Sequence, residues 1–149
     1  MQEQNQKAIS TLNDLIEYCK DGQEGYHTAA TDVKNAELKS LFNTYEQQRS
    51  QFVTQLKEQV RTLGGDPDKS GSVTGALHRG WIDLKSVVSS GDESAILNEC
   101  DRGDSAAESK YDEALRANLP QGAREIVRRQ HDEIRSARNQ IRNLKERMK

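Results

Sequence analysis

Residues 35–64, NAELKSLFNTYEQQRSQFVTQLKEQVRTLG, set the architecture of this chain. They predict one helix of roughly 28 residues, about 40 Å long at about 1.5 Å per residue. Its apolar side chains recur three and four positions apart and form one stripe, made of Leu38, Leu41, Phe42, Tyr45, Phe52, Leu56, Val60 and Leu63. Halfway along, Gln48 and Arg49 interrupt the stripe. Ligands in helical bundles project inward at this height, so the function depends on whether this polar layer is a binding site or a satisfied part of the core.

The composition favours a single all-α domain over residues 1–149. Only 33% of residues are hydrophobic and 31% are charged, which is too polar for sheets buried on both faces but suits long amphipathic helices. No stretch approaches the roughly 18 apolar residues of a membrane span, and the N-terminus shows no apolar signal core. We therefore expect a soluble, cytoplasmic protein with no membrane contact. The two cysteines, Cys19 and Cys100, lie on apolar stripes and are expected to be buried free thiols.

Capping and turn residues divide the chain into helices. Asn35 and Asp92 are good N-caps, Gly64-Gly65 followed by Pro67 ends a helix, and Pro120 suits the first position of the last one. The predicted helices cover residues 5–32, 35–64, 73–89, 93–118 and 120 to the C-terminus. Two long hairpins joined by a connecting segment predict an antiparallel four-helix bundle with a crossover that contains a short extra helix.

Two glycines of the first helix, Gly22 and Gly25, are one turn apart. They predict the close approach of a neighbouring backbone or ring, with room for a ligand between helices as the alternative.

The last two helices carry opposite charge. Residues 92–118 contain eight acids and three bases, and residues 124–149 contain nine bases and four acids. Pairing between these helices explains the asymmetry most simply. A nucleic-acid surface is the alternative, because five arginines lie on or near one face: Arg124, Arg128, Arg135, Arg138 and Arg142. The net charge of -2 and the lack of interleaved aromatic residues disfavour it.

Five stretches resemble a bacterial family of uncharacterised four-helix-bundle proteins of the ferritin-like superfamily: DGQEGY (21–26), YEQQR (45–49), GGDP (64–67), GALHRGW (75–81) and NECDRG (98–103). The resemblance runs from about Ala8 to Glu146, and 75–81 is its most specific part. It implies a ferritin-like bundle, and it implies no activity.

The ligands of a ferritin-like di-iron site are incomplete in this chain. Such sites use one Glu from each of two helices and a Glu-x-x-His pair from each of the other two. The second helix offers Glu46 and Arg49 at that spacing, but an arginine has no lone pair for a metal. The last helix offers Gln130, His131 and Glu133, with no Glu three residues before a His. The single Glu-x-x-His is Glu24–His27 on the first helix, where we expect solvated surface residues or an adventitious divalent ion.

We therefore predict an ion-pair and amide network at mid-height, formed by Gln48, Arg49, Glu99, Gln130 and Glu133. A degenerate or mononuclear metal site and an exposed arrangement are the second and third interpretations. No residue is assigned to catalysis, a cofactor or a metal. His78 and Trp81 indicate an amphipathic contact, and no nucleophile elbow or phosphate loop is present.

The leading functional hypothesis is a non-catalytic assembly or interaction module that forms a homodimer. A role in a stress response is suggested by the superfamily alone. The rival hypothesis is a metal-binding protein or oxidoreductase that uses Glu24, His27, Glu99 and Glu133.

Overall fold

The computed structural model describes residues 2–67, 81 and 84–147, with side chains from Asn5 onward. Within these ranges the regular elements are five helices and no strand: α1 (Gln2–Asp32), α2 (Ala36–Thr62), α3 (Leu84–Ser90), α4 (Glu93–Arg116) and α5 (Gln121–Arg147). The all-α prediction is confirmed. None of the helices in these ranges is long and apolar enough to cross a bilayer.

Both predicted N-caps are confirmed. The Asn35 side chain accepts hydrogen bonds from the backbone N–H of Glu37 (2.9 Å) and of Leu38 (3.2 Å). The Asp92 side chain accepts from Ser94 and Ala95 in the same way. These bonds satisfy N–H groups that have no partner within the helix, so each cap fixes where its helix begins.

The glycines after α2 end the helix as predicted. Gly64 has φ +85°, and its N–H donates to the carbonyl of Arg61 at 2.9 Å. The N–H of Gly65 donates to the carbonyl of Val60, also at 2.9 Å. This pair of bonds is a Schellman motif, which needs a left-handed residue that glycine adopts without strain. Pro120 lies one residue before α5 rather than at its first position.

The four long helices share one core. Helix α1 packs along α2 and α4 along α5, and further contacts join α1 to α4 and α2 to α5. The apolar side chains form two clusters, one around Leu12, Leu56 and Val127 and the other around Phe42 and Ile96. Along α2, Arg49 lies between Tyr45 of the second cluster and Phe52 of the first, and along α4, Asp104 lies between Cys100 and Ala107 in the same way.

The short helix predicted over residues 73–89 is confirmed from Leu84 and is not confirmed at Trp81. Helix α3 begins at Leu84, and Trp81 lies outside any helix. Residues 73–80, 82 and 83 of the predicted helix, which include His78, lie outside the described ranges. Trp81 is 1% exposed, and its indole packs against α1 and α4. The conformation at Trp81 is therefore set by this tertiary packing rather than by the helical spacing of its apolar neighbours.

Candidate functional site

The central polar layer is built around a buried ion pair. Arg49 of α2 is 1% exposed, and its Nη1 donates to Oδ1 of Asp104 on α4 at 2.7 Å. Nη2 approaches Oδ2 of the same carboxylate at 3.4 Å, and Nε donates to Oε1 of Gln48 at 3.0 Å. The prediction that a guanidinium neutralises a carboxylate in the core is confirmed for Arg49.

Helix α1 completes the layer with Tyr26. Its hydroxyl donates to Oδ2 of Asp104 at 2.5 Å, so both carboxylate oxygens are engaged. The Tyr26 ring also lies 5.3 Å from the guanidinium carbon of Arg49, within cation–π distance. Three helices therefore meet at one carboxylate through charge-assisted hydrogen bonds, which are stronger than neutral ones.

The electrostatics of this layer fix its protonation. Burial opposes the charged form of Arg49, but the Asp104 carboxylate outweighs burial and raises the pKa of the guanidinium. Burial, and then the Asp104 charge, raise the pKa of Tyr26 well above its ordinary value. The phenol therefore keeps its proton and acts as a donor, and neither group is poised to exchange protons near neutral pH.

Gln130 belongs to a second polar network rather than to the Arg49 layer. The Tyr111 hydroxyl donates to Oε1 of Gln130 at 2.7 Å and lies 3.0 Å from Sγ of Cys19. Nε2 of Gln130 donates to Oε1 of Gln55 at 2.9 Å. This network joins α1, α2, α4 and α5 and satisfies polar groups inside the first apolar cluster.

The Trp81 ring packs directly against two glycines, Gly25 on α1 and Gly103 on α4. A Cβ added at Gly25 would lie 2.6 Å from the indole, and one added at Gly103 would lie 2.1 Å from it. The indole also meets Tyr26 edge-on, with 5.2 Å between ring centroids. A Cβ at Gly22 would lie 3.1 Å from Nη1 of Arg49. The predicted close approach at Gly22 and Gly25 is confirmed, and side chains fill the space that the alternative gave to a ligand.

Another member of the predicted layer, Glu133, lies elsewhere. Glu133 is exposed, because its helical neighbour Ile134 takes the inward position, so its assignment to the layer was wrong. Glu99 is buried as expected, and Nη1 of Arg102 on the same helix lies 3.3 Å from its carboxylate. Asp104 was not predicted from the sequence as a member of this layer. The signal was available, because Asp104 lies four residues after Cys100 and three before Ala107, both on the α4 stripe.

The Glu24–His27 pair does not converge on the core. The His27 side chain is 64% exposed, and its Nδ1 lies 3.1 Å from Oε2 of Glu46 on α2. Glu24 is also exposed. The interpretation of Glu24 and His27 as surface residues is confirmed.

The cysteines are buried and free, as predicted. Burial raises the pKa of Cys19 to about 11 and the pKa of Cys100 well above its ordinary value. Both thiols therefore stay protonated near neutral pH and are poor nucleophiles.

The predicted charge pairing between α4 and α5 is confirmed. Asp101 lies 2.8 Å from Nε of Arg138, 3.2 Å from Nζ of Lys145 and 3.5 Å from Nε of Arg142. Glu108 contacts Arg138 at 3.3 Å, and it also lies near Arg135.

Arg124 is used differently from the other arginines. It donates to the carbonyls of Leu115 and Ala117 at 2.9 Å each, at the end of α4. Four of the five arginines considered for nucleic acid, namely Arg124, Arg135, Arg138 and Arg142, thus contact groups of this chain.

The family model described as "Domain of unknown function (DUF2383)" matches residues 7–117, which include α1 from Lys7 onward, α2, α4 and the Arg49–Asp104 pair. A comparison with curated proteins gives no match.

Proposed function

This chain belongs to the DUF2383 family, and from its core we propose that it is a non-catalytic module for assembly or interaction. The Arg49–Asp104 pair carries the proposal. A guanidinium with 1% exposure stands at mid-height of the core, where a bundle enzyme would place metal ligands.

We further propose that the four long helices form a ferritin-like antiparallel bundle. The pairing of α1 with α2 and of α4 with α5 supports this arrangement, as do the contacts between the two pairs. The connection from α2 to α4, which includes α3, would then be the long crossover found in ferritin-like folds.

The donor set in the core does not fit a di-iron centre. Arg49 has no lone pair to offer, and both oxygens of Asp104 accept hydrogen bonds. Gln130 is engaged by Tyr111 and Gln55. A metal ion in this layer would have to displace a buried cation and leave its charge without compensation, which is strongly unfavourable.

The rival function as an oxidoreductase needs Glu24, His27, Glu99 and Glu133 to converge. Glu24 and His27 are exposed on α1, Glu133 is exposed on α5, and Glu99 is buried on α4. These positions do not form a common ligand set among the residues that the structure describes.

The test measures metal content and ferrous-iron oxidation. For protein purified without chelators, we expect Glu99→Ala and Asp104→Asn to leave the metal content of the wild type unchanged, and we expect no oxygen uptake when Fe²⁺ is added. Glu133→Ala is the matched surface control, because this side chain is exposed. Near-stoichiometric iron or manganese that is lost in Glu99→Ala but retained in Glu133→Ala would contradict a non-catalytic core.

We also propose that the module is a cytoplasmic homodimer. The two free thiols support a reducing compartment. Dimers with twofold symmetry are the commonest soluble oligomers, so a homodimer is the first assembly to test. Sedimentation velocity over a hundredfold concentration range checks the association, and a monomer at the highest concentration would contradict it.

A further inference from the structure

A second cluster of ligand-type residues lies between α4 and α5, away from the Arg49 layer. Glu108, Asp112 and His131 each place one donor atom within 4.8 Å of the other two. Glu108 and Asp112 are four residues apart and therefore share a face of α4, which packs along α5. In the described part of the chain, these residues form a group of three possible metal ligands on adjacent helices.

His131 is the unusual member of this cluster. Its side chain is 6% exposed, and its buried Nε2 makes no hydrogen bond. Oδ1 of Asp112 lies 2.7 Å from this nitrogen, but the contact lacks the geometry of an N–H···O bond. A buried nitrogen without a hydrogen bond is costly unless something else satisfies it.

The other ring nitrogen of His131 is oriented by a carboxylate. Nδ1 lies 3.2 Å from Oδ1 of Asp132, within hydrogen-bond distance. In metal sites, the nitrogen that does not bind the ion commonly donates to a carboxylate, which fixes the tautomer and the ring orientation. A proton on Nδ1 leaves a lone pair on Nε2, the nitrogen that lies 2.7 Å from Oδ1 of Asp112.

The carboxylates differ in their surroundings. The Asp112 side chain is 43% exposed and provides access from solvent. The Glu108 side chain is 15% exposed and also contacts Arg135 at 3.5 Å and Arg138 at 3.3 Å. A carboxylate has about four lone-pair positions, so Glu108 can keep an arginine contact while one oxygen binds an ion. The arginines offset part of the acidic charge, which favours moderate rather than very tight binding.

We propose that Glu108, Asp112 and His131 bind one divalent transition-metal ion, with Zn²⁺ as the best match. One imidazole and two carboxylates are ligands that Zn²⁺ accepts, and water would complete a four-coordinate site. Two ligand atoms on one tetrahedral zinc are about 3.4 Å apart, so donors within 4.8 Å of one another would move by up to about 1.4 Å to bind it. The ion would clamp α4 to α5. This site goes beyond the proposed function because it adds a bound ion. The ion would have the structural role of joining two helices, which is compatible with a module that has no catalytic activity.

The experiment titrates metal-free, full-length protein with Zn²⁺ against a chromogenic chelator. We expect one site per chain and a rise in melting temperature on saturation. Asp112→Asn should weaken binding by more than about tenfold, and Asp132→Asn should weaken it by about tenfold because it loosens the histidine. Asp112 is exposed enough that its variant should fold normally, so loss of binding there cannot be attributed to unfolding.

His27→Asn is the matched control, because His27 is an exposed histidine that pairs with a glutamate. It should bind Zn²⁺ like the wild type. Absence of saturable binding would overturn the proposal, and so would binding that survives Asp112→Asn but is lost in His27→Asn. Zinc binding that depends on Asp112 and not on Glu99 supports this site and leaves the proposed function intact. Zinc binding that depends on Glu99 alone would overturn both the proposed zinc site and the proposed non-catalytic function.

Discussion

At the scale of single residues, Asp104 of α4 is the hydrogen-bond acceptor that joins α1 and α2 to α4 in the core. Its two oxygens accept from Arg49 and Tyr26, and it is 0% exposed. A buried pair of this kind contributes little net stability over an apolar pair of similar size, but removing one partner leaves an uncompensated charge. The pair therefore favours the register in which α2 and α4 bring these two residues together.

Arg49→Met should consequently destabilise the protein by about 3–5 kcal/mol, because Asp104 remains buried without its cation. Combining it with Asp104→Asn should restore much of this loss, since no net charge is then buried. The unfolding midpoint in urea measures both effects. Arg61→Met on the same helix is the control, because this arginine is 56% exposed and should matter little. Equal losses of stability in Arg49→Met and Arg61→Met would contradict a cost that arises from an uncompensated buried charge.

The contact between Trp81 and Gly103 gives a second prediction at this scale. Gly103→Ala places a methyl group 2.1 Å from the indole, so the ring must leave its slot. Trp81 is the one tryptophan in the sequence, and its emission should shift to the red and become accessible to quenchers. Gly122→Ala is the control, since its Cβ meets nothing closer than 3.9 Å and alanine favours the helix. Unchanged emission in Gly103→Ala would contradict the packing.

The sequence led to Arg49 but not to its partner, for a physical reason. An apolar stripe on a helix is more than 100° wide, so both Gly103 and Asp104 fit the α4 stripe. Which of two adjacent positions points inward depends on how the helices are rotated against each other. The same ambiguity placed Glu133 in the core, whereas Ile134 takes that position. The sequence predicted an amphipathic contact for Trp81. It did not show that the ring packs against glycines of two different helices, because that requires knowing how the helices are arranged.

At the scale of elements, α4 and α5 are joined by charge as well as by apolar packing. Asp101 contacts three cations of α5, Arg138, Arg142 and Lys145. Burial raises the pKa of Asp101, but hydrogen bonds from Arg138 and Lys145 outweigh burial and lower it. The charged carboxylate is therefore favoured in the folded state.

Asp101→Asn should cost about 1 kcal/mol at neutral pH, because the pairs are partly exposed and screened. The sign of the pH dependence follows from the lowered pKa. The contribution is present above the unfolded-state pKa, near 3.8, and is lost as the pH falls below it. Urea midpoints of wild type and variant should thus differ at pH 7 and converge towards pH 3. Glu113→Gln, at a 62% exposed side chain, is the control, and a difference that persists at low pH would argue against the pairing.

Element boundaries were predictable where a side chain or glycine determines them locally. Asn35 and Asp92 begin α2 and α4 by bonding to their own first turns, and Gly64 ends α2 through its backbone conformation. Trp81 shows the opposite case, because its helical spacing with Leu84 suggested a helix that tertiary contacts override.

At the scale of the whole molecule, both thiols report the integrity of the fold. Cys19 and Cys100 are 1% and 0% exposed, one in each apolar cluster. A thiol reagent can reach them only when the packed helices open. The all-helical class and the order of the helices followed from the sequence because every long segment repeats the same amphipathic period.

Stability should fall between pH 9 and pH 11. Burial raises the pKa of Cys19 from 9.0 to about 11, so the unfolded thiol ionises in this range while the folded one does not. The contribution of this group, about 2–3 kcal/mol, is present below pH 9 and lost by pH 11. Cys19→Ser keeps a hydroxyl beside Tyr111 and removes the titration, so its urea midpoint should decline less steeply with pH. Urea midpoints that decline equally with pH in the wild type and in Cys19→Ser would rule out Cys19 as the source of the lost stability.

The slot for Trp81 has walls from both halves of the chain, Gly25 on α1 and Gly103 on α4. Neither hairpin can form it alone. We therefore expect indole burial to follow helix formation during refolding, as a final docking step that a stopped-flow recording of fluorescence beside circular dichroism would resolve as a lag. Trp81 fluorescence would then report the time at which the two halves of the protein pack together.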